Sequence, residues 1–212
     1  MKERPIIFAP EHAQKVHDGR KTQTRRVVKG YIYDDFTLGH YHPLRRNHRG
    51  EDYSAKKTFG LWGDGWDIPC PYGGIGDQLW VRETWAHRLD LEPGSEKAKR
   101  YILHKGQGGD PKDVLNWPDY GGMWKSGRVM PRWACRTVVE LTDVRVERVQ
   151  DLSEEDALAE GCEEYHFGSG DGSSGAISAA SAYVNVWESI HGHESWERND
   201  WVWVLTFERG ME

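Results

Sequence analysis

"RWACRTVVELTDVRVERVQ", residues 132–150, carries the longest strand signal in the chain. Its valines and threonines favour a pleated, half-buried surface, and Val144 and Val146 alternate with charged neighbours at the period of a strand. The stretch reads as one long strand or as two joined by a bend. "DLSEEDALAEGC" (151–162) follows at once with helix punctuation at both ends. Ser153 is a cap, Asp156 takes the third position of an imperfect capping box, Glu154 and Glu155 favour the positive end, and Gly161 is the stop.

Towards the N-terminus, "GDQLWVRETWA" (76–86) opens on a Gly76-Asp77 turn and alternates Leu79, Val81 and Glu83 with Trp80, Arg82 and Thr84. "PIIF" (5–8) is a short apolar strand. Pro10 suits the first turn of a helix running to about Asp18, with Ala13 and Val16 facing inward and Gly19 ending it. A basic loop from Arg20 to Arg26 overlaps a strand start at Thr24 to Val28. Towards the C-terminus, "GSGDGSSG" (168–175) reads as a flexible linker or lid. A helix over about 178–191 then puts Tyr183, Val184, Trp187 and Ile190 on one stripe, and "DWVWVLTFER" (200–209) is an alternating final strand. Residues 30–75 and 88–130 lack periodicity and read as two irregular insertions, the second broken by a short strand in "YILHKG" (101–106). Strands grouped this way, with helices near the two ends, do not alternate as a parallel sheet requires. The expectation is one α+β domain over 1–212: a small mixed β-barrel with peripheral helices and two long insertions.

A chain of 212 residues supports a full core, and a formal net charge of −6 excludes coating nucleic acid by bulk electrostatics, so any phosphate contact must be local. Cys70, Cys135 and Cys162 lie far apart without a CxxC pair, which signals neither a disulfide framework nor zinc. No apolar run or signal peptide is present, so the chain is expected to be cytoplasmic with no membrane partner. Eleven tryptophans exceed ordinary needs. Core packing is the default for each, although tryptophan also stacks on bases.

Chemistry concentrates in "GRKTQTRR" (19–26). A lysine amine close to a threonine hydroxyl can take its proton if burial or neighbouring cations lower the lysine pKa, which makes Lys21 and Thr24 a candidate base and nucleophile. The other reading is a solvated basic loop at a helix end. Glu160 stands in the last turn of its helix, where a negative charge opposes the dipole and needs some other justification. His40-x-His42 and His191-x-His193 have no acidic or cysteine partner at a metal-ligand spacing, so no metal or other cofactor is expected.

"GRKTQTRR" after a strand and short helix, the "LWVRE" strand, "VRVERVQDLSEEDALAEG" and the aromatic "WVWVLTFE" together resemble the ASCH domain family of PUA-like folds. The resemblance extends to the long, tryptophan-rich ASCH-like proteins of bacteriophages and prophages, and covers about residues 5–28, 76–86 and 131–209. It implies a small barrel that binds RNA or modified nucleosides. Small members that remove an acyl group from N4-acetylcytidine use a GxKxxT-like motif and a glutamate, which here fall on Lys21 as proton acceptor, Thr24 as nucleophile and Glu160 as proton donor. Arg20, Arg25, Arg26 and Arg82 are then candidates for holding an oxyanion or a phosphate, and Trp85 and Trp133 for stacking on the base. Three functions follow as expectations: an amidohydrolase acting on a modified nucleoside, a non-catalytic or ribonucleolytic RNA module, and a phage protein whose insertions meet a phage or host partner.

Overall fold

The computed structural model describes residues 1–32, 35–42, 44–46, 52–54, 57–64, 66–87, 90–99, 101–108, 124–168 and 174–210. In its first half the chain forms β1 (Glu3–Ile7), α1 (Pro10–His17), β2 (Gln23–Val27), β3 (Thr37–Tyr41), β4 (Leu44–Arg46), β5 (Asp52–Ser54), β6 (Thr58–Gly63), β7 (Trp66–Pro69), β8 (Gln78–Arg82) and β9 (Trp85–His87). There follow α2 (Glu96–Lys99), β10 (Ile102–His104), β11 (Val138–Arg148), α3 (Glu154–Ala159), β12 (Tyr165–Gly168), β13 (Ser174–Ile177), α4 (Ala179–His191) and β14 (Trp201–Arg209).

The long signal at 132–150 becomes a single strand, β11, the middle member of a five-stranded sheet ordered β1-β8-β11-β14-β2. It pairs antiparallel with β14 from Val139–Arg209 to Arg148–Trp201, and the register shifts between Leu141 and Asp143. The bend is therefore a bulge inside one strand, which aims its two halves differently without breaking the ladder. β1 runs parallel to β8, and the remaining pairs are antiparallel.

Both faces of this sheet are covered. One packs Leu79, Val81, Leu141, Trp203, Leu205 and Phe207 against Ala13 and Val16 of α1 and against Phe8. The other sets Val149, Val202 and Val204 against Ala157 of α3 and Ala179, Tyr183 and Trp187 of α4. Double coverage explains why β14 is apolar at nearly every position, since each side chain meets a core on its own side. Ile190, expected on the buried stripe of α4, is 62% exposed, because the last turn of that helix stands beside a cleft.

The expected barrel is present only as a mixed α+β sheet, and no closed barrel is found among the described residues. The outer strands β1 and β2 approach each other without a shared ladder. Arg26 of β2 donates from Nη2 to the Ile7 carbonyl at 2.6 Å, and its guanidinium lies 4.9 Å from the Phe8 ring centroid. Side chains and α1, which connects the two strands, bridge the seam in place of backbone pairing.

The insertions are more regular than their sequences suggest. Within 30–75, β3, β6 and β7 form an antiparallel sheet and β4 pairs with β5. Glycine obscured this pattern because the strands need it: a Cβ on Gly60 would stand 2.3 Å from the Ile68 carbonyl oxygen. The second insertion docks on buried Glu83, which accepts from Arg136 Nε at 2.8 Å and lies 3.2 Å from His104 Nδ1. Burial raises the Glu83 pKa, but the adjacent His104 ring and the Arg136 guanidinium that donates to it outweigh burial and leave the carboxyl below its ordinary value. Among the described residues, no helix is long and apolar enough to cross a membrane.

A Cβ on Gly106 would meet the Pro10 carbonyl oxygen at 2.5 Å, a backbone contact that cannot swing aside. Gly106→Ala is expected to push the second insertion off α1 and to cost about 1–3 kcal/mol in thermal unfolding. An unchanged melting temperature and unchanged proteolysis within 88–130 would contradict that docking.

Candidate functional site

The site begins at the two ends of α3. Ser153 caps the first turn, its hydroxyl accepting from the Asp156 amide at 3.1 Å. At the other end three carbonyls are left without helical partners. α1 and the segment after it supply them: the Thr22 amide donates to the Ala159 carbonyl at 2.8 Å, Lys21 Nζ to that of Glu160 at 2.7 Å and Lys15 Nζ, from the helix itself, to that of Gly161 at 2.6 Å. Gly161, at φ +81°, lets the chain turn away where a Cβ would crowd Lys15 Cδ and Lys21 Cβ.

This interlock lays the Glu160 carboxylate on Lys21, whose ammonium also donates to Glu160 Oε2. Both residues are at least 96% buried. Burial is the main force on Lys21 and lowers its pKa; Glu160 pulls upward, Arg26 adds to the lowering, and the net shift is downward. The negative charge at the helix end is thus held by a lysine that also caps the same turn.

Alternation along β2 divides the next residues. Gln23, Arg25 and Val27 face α3 and α4, whereas Thr24 and Arg26 face Phe8. Arg25 is a structural hub: its fully buried guanidinium donates to Gln23 Oε1 at 2.6 Å, Glu147 Oε1 at 2.6 Å and Asp156 Oδ2 at 2.8 Å. Its Nη1 lies 3.6 Å from Glu160 Oε1, so Glu160 is held between two cations. Arg145 donates to both oxygens of Asp156, at 2.8 and 2.9 Å. Burial works to raise the Asp156 pKa, but Gln23, Arg145 and Arg25 outweigh it and bring it down to about 2.

Lys21, Thr24, Arg25, Arg26 and Glu160 all line one cleft of about 230 Å³, at the open seam between β1 and β2. Ordinary ligand pockets run to about 300–1,000 Å³, so this one suits a single small ring system with a substituent. Phe8 and His12 form one wall, and Tyr183, Trp187 and His191 another. The Trp187 and His191 rings meet at a tilt of 36° with centroids 4.2 Å apart. His12 is held below its ordinary pKa by burial first and by Lys21 second, and its Nδ1 is buried without a hydrogen-bond partner among the described residues. Sequence reasoning missed these wall residues. The α4 stripe marked Tyr183 and Trp187 only as core, and His12 carried no motif.

The remaining candidates lie elsewhere. Arg20 pairs at the surface with Asp18 at 3.0 Å and Glu163 at 3.5 Å. Arg82 donates to the Arg128 carbonyl and lies over Trp80. Trp85 is 3% exposed in a third core with Met130 and Ala134, stacked on His87 and met edge-on by Trp133 at 5.7 Å. Its face is occupied by its own neighbours. No group of three or more metal-ligating side chains occurs among the described residues. The tip of the expected Gly/Ser lid, 169–173, lies outside the described residues; its flanks pair as β12 and β13.

Comparison with models of known families, with curated proteins and with solved structures finds no match.

Asp156 contributes stability because its folded pKa lies below the ordinary 3.8. That contribution is present above the unfolded value and is lost as pH falls through about 2. Asp156→Asn is expected to cost about 1–3 kcal/mol at pH 7 and to flatten the acid limb of stability between those two values, followed by tryptophan fluorescence in urea. An acid limb identical to wild type would show that the Arg25 and Arg145 cluster does not depend on this charge.

Proposed function

We propose that this is an ASCH-like, PUA-related protein whose seam cleft binds a modified nucleoside and removes an acyl group from its exocyclic amine, N4-acetylcytidine being the model substrate. One observation carries the reading: Lys21, Thr24 and Glu160, 139 residues apart at their extremes, converge on a single small cleft. The lining between Phe8, Val186 and Trp187 is largely apolar, which suits a small ring of low polarity.

The buried pair supports the chemistry through its proton count. An ammonium beside a carboxylate carries the same number of protons as a neutral amine beside a carboxylic acid, so moving one proton from Lys21 Nζ to Glu160 creates a base and an acid together. In water the charged form is strongly favoured. Removing water penalises two charges far more than two neutral groups, and the lowered pKa of Lys21 expresses that penalty.

The neutral amine then takes the Thr24 hydroxyl proton as Thr24 Oγ adds to the acyl carbon and the carbonyl electron pair moves onto oxygen. When the carbonyl re-forms, the C–N bond breaks and the leaving amine takes the Glu160 proton. Water hydrolyses the Thr24 ester, releasing the carboxylic acid and restoring the hydroxyl. Recognition through an RNA backbone has less support, because Arg20 and Arg25 are already engaged by carboxylates and Arg82 lies outside the cleft.

Lys21→Ala, Thr24→Ala and Glu160→Gln are each expected to lower turnover of N4-acetylcytidine by about 10²–10⁴-fold, measured by chromatography of released cytidine. Folded wild type without turnover would overturn the hydrolase reading.

A further inference from the structure

The cleft contains a third cation whose role the Lys21, Thr24 and Glu160 scheme leaves open. Arg25, its neighbour, is saturated by Gln23, Glu147 and Asp156. Arg26 is placed differently. It stands two residues from Thr24 on the same strand, so both side chains leave the same face of β2 with their Cα atoms about 7 Å apart. Its guanidinium is oriented by two fixed groups, the Ile7 carbonyl at 2.6 Å and the Phe8 ring at 4.9 Å. Lys21 Nζ reaches the same ring, 5.9 Å from its centroid. Phe8 therefore sets the base and the guanidinium around one point, with Thr24 between them in the chain. Arg26 Nε is buried without a hydrogen-bond partner among the described residues. An arginine fork held by one Nη leaves the other able to donate.

Resting on the hydrolase reading, we propose that Arg26 is the electrophilic group of the cleft, donating to the acyl oxygen of the substrate and stabilising the negative charge that develops there when Thr24 attacks. The electron pair displaced from the carbonyl resides on that oxygen during the tetrahedral stage and returns when the C–N bond breaks, so Arg26 gains and loses no proton. Its charge has a second effect. It disfavours the ammonium form of Lys21 and so enlarges the fraction able to act as base. A preorganised donor of this kind contributes about 10²–10³-fold to turnover.

The test compares wild type, Arg26→Met and Arg26→Lys in N4-acetylcytidine hydrolysis across pH, with calorimetric binding of N4-acetylcytidine and cytidine. Arg26→Met is expected to lower kcat by about 10²-fold with KM changed less than about threefold, and to move the ascending limb of the pH profile to higher pH. Arg26→Lys keeps a positive charge near Lys21 but loses the fork, so its limb should stay at the wild-type position while kcat remains low. A kcat within about threefold of wild type in Arg26→Met, or a change in KM alone, would overturn the proposal while leaving the hydrolase reading intact. If wild type binds the acetylated nucleoside without hydrolysing it, the hydrolase reading fails. Arg26 is then still supported as the acyl-oxygen contact if preference over cytidine is lost in Arg26→Met, and refuted if that preference persists. Wild type that binds neither compound overturns both.

Discussion

Lys21 donates to both the backbone and the side chain of Glu160, and the central architecture of the site depends on that double contact. A helix that ends in a carboxylate is disfavoured by its own dipole, and a lysine removed from water is disfavoured by the loss of hydration. Together each removes the other's difficulty: the ammonium caps an open carbonyl and neutralises the carboxylate in the same place. The surrounding carbonyls are taken by Thr22 and Lys15, so α1 with the loop after it and the turn after α3 behave as one unit.

Around that unit the protein has separated structural cations from those left in the cleft, using the two faces of a strand. Arg25 points into a lattice of Glu147, Asp156 and Arg145 that fastens β2, β11 and α3 together. Arg26 points the other way, into the seam. Adjacent arginines therefore have unrelated physical roles, because a strand turns successive side chains to opposite sides.

The open seam follows from connectivity. β1 and β2 are joined through α1 and lie at opposite edges of the sheet, so they meet through Arg26, Ile7 and Phe8 instead of through backbone pairing. A closed ladder would fill this space. The gap left between the edges is the cleft, walled on its far side by α4.

Much of the frame was legible in local pattern alone: β11 and β14 from their strand patterning, α1 from its first-turn proline and glycine stop, α3 from its serine cap and glycine stop, and α4 from its apolar stripe. These features depend on neighbours within a few residues, which is where periodicity and capping act. The sequence by itself also determined which side chains are chemically able to form a site, since Lys21 and Thr24 share one short motif and Glu160 is anomalous at its helix end. Tertiary structure alone decided that Glu160 meets Lys21 across 139 residues, that Arg25 is consumed by carboxylates, and that Trp85 packs inward with Trp133 instead of offering a stacking face. It also decided that the glycine-rich stretch before β8 forms paired strands. The physical reason is the same in each case: an ion pair, a ring stack or a strand ladder is set by which distant surface arrives beside a residue, and no local periodicity encodes that arrival.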